Sequence, residues 1–259
     1  MRPFRVFVIA AALAAAVTAA HAGRSCEEKA LTPLALERGL GLAERTVKAM
    51  DASGAQVLLI ARAGQDLSRY DLRWSHMGLA YREADGWRIV HKLNHCGAAT
   101  AALYRQGVGQ FFLDDPWRYQ AAVMPLAPEL QSRVLATLRD NRRVAALNTP
   151  AYNMLAYPWS QRYQQSNQWA IETLASAADP GAETRERAQA WLKLKGYEPS
   201  ALHIDALTRL GARLTRANVA FDDHPNSKRF ADRIETVTAD SVFAWMQKSG
   251  LGGTLQVIE

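Results

Sequence analysis

Apolar residues recur at helical spacing over 33–50, where Leu36, Leu40, Leu42 and Val47 sit between charges until Asp51-Ala52-Ser53-Gly54 interrupts them. That pattern predicts a helix with a glycine stop. Val57-Leu58-Leu59-Ile60-Ala61 is a short unbroken apolar run and reads as a buried strand. Segments 76–81 and 87–93 read as two more strands, joined by the turn Glu83-Ala84-Asp85-Gly86. Gln110-Phe111-Phe112-Leu113 reads as a fourth strand, ended by Asp114-Asp115-Pro116, and 121–126 as a fifth. Neighbouring strands with short connections imply an antiparallel sheet with helices beside it.

Beyond Pro128 the pattern turns helical. Leu130, Val134, Leu135 and Leu138 share one helical face, and 166–178, 183–195, 200–218 and 241–248 read as further helices. The aromatic stretch 152–163 contains Pro158 and reads as irregular, 221–226 as a turn, and 234–237 as a strand. The expected fold class is therefore α+β, a small antiparallel sheet with helices on one side and a helical C-terminal extension. It forms one domain over 23–259.

Residues 1–22 stand apart. Arg2 and Arg5 precede an apolar run too short for a comfortable membrane span, which ends in the small-x-small pattern Ala20-His21-Ala22. A cleaved secretory signal peptide is expected, giving an exported, periplasmic or secreted protein with no later membrane span. Cleavage lowers the formal charge from +6 to +4, spread without a basic stripe, so nucleic acid is not an expected partner. With 49% hydrophobic residues a packed core is affordable, and disorder is excluded. In an oxidising compartment Cys26 and Cys96 could close a disulfide, adding roughly 4 kcal/mol in the chain-entropy view. A free, catalytic Cys96 is the alternative.

Candidate chemistry gathers on the second and third strands. His76 shares its strand face with Gly78 and Ala80, leaving room beside it, and His91 shares a face with Trp87, Ile89 and Leu93. Two histidines on adjacent strands can come within hydrogen-bond reach, one as base and one holding its tautomer, or simply as a bonded core pair. A zinc site from His91, His95 and Cys96 matches no standard ligand spacing, so neither a metal nor another cofactor is expected. Asp222, Asp223, His224 and Asn226 surround Pro225, as a turn does on conformational grounds. Ser166 opens a helical pattern, where a hydroxyl serves either as N-cap or as nucleophile aided by the positive helix end.

The stretches Ala61-Arg62-Ala63-Gly64-Gln65-Asp66, Trp74-Ser75-His76-Met77-Gly78-Leu79 and Trp87-Arg88-Ile89-Val90-His91-Lys92-Leu93 resemble the permuted branch of the NlpC-type papain-like superfamily. The chain as a whole is similar to the bacterial family known as domain of unknown function 2145. Tyr157-Pro158-Trp159-Ser160 through Trp169 and Phe221-Asp222-Asp223-His224-Pro225-Asn226 add to that match.

The superfamily resemblance implies a papain-like fold with His76 as general base, His91 orienting it, and Ser166 where the superfamily has cysteine. Gln164 or Gln165 would donate to an oxyanion. A serine in place of a thiol needs a well-placed base or loses the chemistry. Two functions follow as expectations. One is an exported hydrolase or acyl transferase on amide or ester bonds, with peptidoglycan peptides or lipids as substrates. The other is a non-catalytic cell-envelope protein that binds its ligand in the same groove.

Overall fold

A computed structural model of the chain describes residues 30–114 and 116–259. The expected leader and Cys26, with its pairing to Cys96, lie outside those residues. The first half holds α1 (Pro33–Ala52), β1 (Val57–Arg62), β2 (His76–Glu83), β3 (Gly86–Asn94), β4 (Ala101–Gly107), α2 (Val108–Phe112) and β5 (Ala121–Pro125). Next come α3 (Pro128–Arg139), α4 (Asn141–Ala146), α5 (Ser166–Ala178) and α6 (Arg185–Leu194). The chain closes with β6 (Ser200–His203), α7 (Ala206–Thr215), α8 (Asn226–Arg229), β7 (Arg233–Thr236), α9 (Ala239–Lys248) and β8 (Gln256–Ile258).

The α+β class is as expected. Six strands form one antiparallel sheet in the order β4-β3-β2-β1-β5-β8, and β6 pairs with β7 in a separate ribbon. Helices cover both faces, not one. Leu58, Ile60, Ala80 and Ile89 pack under α1 and α2 with Leu42, Phe111 and Phe112. Leu59, Met77, Leu79 and Val90 pack on the opposite face with Val134, Trp169, Leu174 and Phe243 from α3, α5 and α9. The reason is visible in β1: all six of its residues are buried, and an unbroken apolar strand needs cover on both sides.

Three segments differ from the pattern-based reading. The run 110–113 is helical rather than extended, because α2 lays Phe111 and Phe112 against α1 and the sheet. The side chain of Gln110 holds its start, accepting from the Gly107 N–H at 3.3 Å. The fourth strand is β4, immediately before it. The face α1 buries is Gly39, Leu42, Ala43, Thr46 and Met50, with Leu36 and Leu40 turned outward. Gly39 sets that rotation: a Cβ there would come within 2.9 Å of Leu113 and 3.2 Å of the Phe112 carbonyl. The span 200–218 divides into β6 and α7, because Asp205 caps a new helix by accepting from the Thr208 N–H at 2.9 Å. The unforeseen β8 pairs with the outer edge of β5, matching Ala121 with Ile258 and Val123 with Gln256.

A third apolar cluster, Leu202, Ile204, Val219, Phe221 and Ile234, sits under the β6–β7 ribbon and α7, with Tyr70, Leu72, Met154 and Leu155 against it. Between this cluster and the end of the sheet where β2 begins lies a cleft of about 620 Å³. Among the described residues no helix is long and apolar enough to cross a membrane.

Candidate functional site

His76 is the first residue of β2, opposite Arg62 on β1. The preceding Ser75 pins the turn, its hydroxyl accepting from the Gly64 N–H at 2.8 Å and the Gln65 N–H at 3.1 Å. On β3, His91 leans across the space left by Gly78, where a Cβ would lie 2.7 Å from Ile89 and 3.1 Å from the Cβ of His91. The two rings meet as the spacing suggested: His76 Nε2 and His91 Nδ1 are 2.8 Å apart.

A third member, which the pattern did not reveal, fixes the proton order. The side-chain carbonyl of Gln106 on β4 accepts from His91 Nε2 at 2.9 Å. His91 therefore carries its proton on Nε2 and accepts at Nδ1 from His76 Nε2–H, which leaves His76 Nδ1 without a proton. Phe111 lies against both imidazoles, with ring centroids 5.8 Å from His76 and 5.2 Å from His91. Burial first, then the neighbouring Arg62 and His91, pushes His76 well below the ordinary imidazole value. Burial and Arg62 hold His91 at about 4, against the opposing bond to Gln106. Both rings are neutral near pH 7.

Ser166 is the first residue of α5, but the cap is Gln165, whose side-chain oxygen accepts from the Asn167 N–H at 3.0 Å. The amide nitrogen of Gln165 donates to Val237 O and, at 3.2 Å, to the Thr236 hydroxyl. Asn167 ties the helix to the sheet, its side-chain oxygen accepting from the Met77 N–H at 3.1 Å. Ser166 itself is buried, with the Tyr152 phenol near it.

Strand alternation separates the two expected partners. His76 points to the face carrying Phe111, while its neighbour Met77 points to the face covered by α5. Ser166 and His76 both line the cleft, which wraps the end of the sheet, but no hydrogen bond joins them.

Gln164 has a different task from the one expected. It is fully buried, and its carbonyl accepts from Lys92 Nζ at 2.8 Å and from the Thr149 N–H at 2.9 Å. Its amide nitrogen donates to Glu172 at 2.6 Å and to Leu147 O at 2.9 Å. Glu172 also accepts from Arg185 Nε at 2.8 Å and from Gln189 at 2.6 Å. With their donors bonded inside the fold, neither Gln164 nor Gln165 is poised for an oxyanion. The sequence does carry a sign of this network: Lys92 alternates with His91 in an apolar strand, so it must point into the opposite half of the core. Burial, followed by the nearby Arg185, lowers Lys92 to about 7, against the attraction of Glu172.

The remaining candidates make the following contacts. His95 is exposed and bonds to the Thr100 hydroxyl at 3.1 Å, while His91 has both ring nitrogens engaged. No group of three residues able to hold a metal forms among the described residues, and no free cysteine is found there. In the 221–226 turn, Asp223 accepts from the Tyr157 N–H at 2.8 Å, and His224 Nε2 donates to Glu235 O at 2.9 Å. The turn thereby clamps the 157 loop to β7.

What these features define is an α+β protein with a cleft between its sheet and a small helix-covered ribbon. Over residues 49–246 the chain matches the family described as "Uncharacterized protein conserved in bacteria" (DUF2145), and it belongs to that family. No curated protein and no solved structure matches the chain.

Proposed function

We propose that the protein is a non-catalytic binding protein of the cell envelope, exported by the leader at 1–22, whose cleft takes a lipid-like ligand. The observation that carries this reading is that the groups expected to react are committed within the fold or kept apart. His76 bonds to His91, both glutamines bond within the fold, and Ser166 is buried with no hydrogen bond to His76. The cleft is meanwhile walled by Leu202, Ile204, Val219 and Phe221, faced by Leu67 and Leu72, with Arg69 at its rim. Such walls suit an apolar chain with an anionic end better than a peptidoglycan peptide. Titration with a fluorescent lysophospholipid tests it. Saturable binding is expected, lost in Met154→Trp, which adds an indole to the half-buried wall, and unaffected by a soluble stem peptide. Absence of saturable binding, or displacement by the stem peptide alone, overturns the reading.

A second reading keeps the hydrolase or acyl transferase and the papain-like fold. The bond from Met77 to Asn167 favours it, because it ties the residue after His76 to the residue after Ser166, and His76 and Ser166 both line the cleft. Here the Ser166 hydroxyl would attack an amide or ester carbonyl and pass its proton to the proton-free Nδ1 of His76, which would hand it to the amine or alcohol expelled as the acyl-serine forms. A fluorophosphonate that labels the wild type and not Ser166→Ala supports it; a wild type that never labels removes it.

A further inference from the structure

The helix α7 turns its apolar residues away from the protein. Leu207, Leu210 and Leu214, spaced as one helical stripe, are 77%, 55% and 72% exposed. The inward positions are Thr208, Arg209 and Ala212, the reverse of a helix that packs on a core. Arg209 anchors it from below, donating to Ile204 O and meeting Asp232 at 2.5 Å. Arg213 is exposed beside the stripe, whereas Arg216, the C-cap, is exposed at the helix end and lines the cleft. Of the other basic residues nearby, Arg209, Lys228 and Arg233 pair with Asp232 or Glu235, whereas Arg213 forms no ion pair among the described residues.

We propose that this face of α7 docks on an anionic phospholipid surface. Leucines that enter the acyl boundary, flanked by an arginine at phosphate level, are the chemistry of an interfacial helix. A second copy of the chain fits less well. A two-fold contact through this stripe would set Arg213 near its own symmetry mate. Three leucines also fall far short of the roughly 800 Å² per partner that a stable dimer buries. The proposal concerns the outer surface of α7 and stands whether or not the cleft beneath it holds lipid.

Co-sedimentation of the mature protein with vesicles tests it. Partition onto phosphatidylglycerol-containing vesicles is expected, with little onto pure phosphatidylcholine, and weakening as salt is raised. Replacing Leu207, Leu210 and Leu214 together by Ser should cut partition tenfold or more with an unchanged melting curve, since all three side chains are exposed. Arg213→Ala should cut it roughly fivefold. Met154→Trp, which blocks the cleft, should leave vesicle binding unchanged, so failure of the cleft reading is distinguishable. Wild-type protein that ignores anionic vesicles overturns the proposal, as does a triple leucine variant that partitions normally. Sedimentation of the wild type as a dimer that the same variant dissociates would overturn it too.

Discussion

His91 and Lys92 are neighbours on β3, and the alternation of that strand sends them into opposite halves of the molecule. Each enters a buried polar network, yet the two networks are built differently. The His76–His91–Gln106 line is neutral and ends at the cleft, with one ring nitrogen left without a proton. The Lys92–Gln164–Glu172–Arg185 network is charged and closed on itself. Lys92 meets three acceptors, and Arg185 also donates to the carbonyls of Gln161 and Tyr163 at 3.1 and 3.0 Å. A closed network fixes a fold; an open one has a terminus that a ligand can use.

The closed side should break hardest. Arg185→Met leaves Glu172 buried with its main counter-charge gone, and a loss of about 4 kcal/mol in urea unfolding is expected. A loss below about 1 kcal/mol would mean the network is not closed.

Acid and base then separate the two sides. Lys92 sits at about 7 in the fold against an ordinary 10.5. Between those values the unfolded chain holds the proton and the folded one does not, so stability rises with pH across that window, by a few kcal/mol. Lys92→Met should flatten the rise. For His91, the window runs from 6.5 down to about 4. There the unfolded chain takes up a proton that the fold refuses, so stability falls with falling pH, by about 3 kcal/mol in all. His91→Gln should remove much of that acid loss while leaving the alkaline window intact. Guanidinium melts at a series of pH values would show whether the two windows are independent.

The smallest effect tests the space that lets the histidines meet. Gly78→Ala places a methyl against Ile89 and His91 and should cost about 2 kcal/mol by overpacking. It should shift the His91 imidazole signals in NMR and leave those of Lys92 in place.

Much of this was legible in the chain. The period-two pattern of 76–81 and 87–93 was enough to pair His76 with His91, because a hairpin register leaves few alternatives. The start and end of α5 followed from its helical spacing and the Asp179-Pro180-Gly181 stop. What escaped was tertiary. Gln106 lies on an edge strand whose alternation is weak, and Phe111-Phe112 carry strand propensity that contact with α1 overrides. The relation of Ser166 to His76 depends on which face of the sheet α5 covers. That depends on the whole packing and not on either residue's neighbours.

The short β8 has a consequence of its own. It shields the backbone of β5, whose Ala121-Ala122-Val123-Met124 segment is apolar throughout, and Glu259 fastens it by bonding to Arg45, Arg73 and Gln120. Proteolytic trimming of 256–259 would uncover a sticky, uncharged hydrogen-bonding rim. Such a rim recruits other chains into insoluble cross-strand assemblies. The shelf life of the molecule thus depends on four residues remote from its cleft.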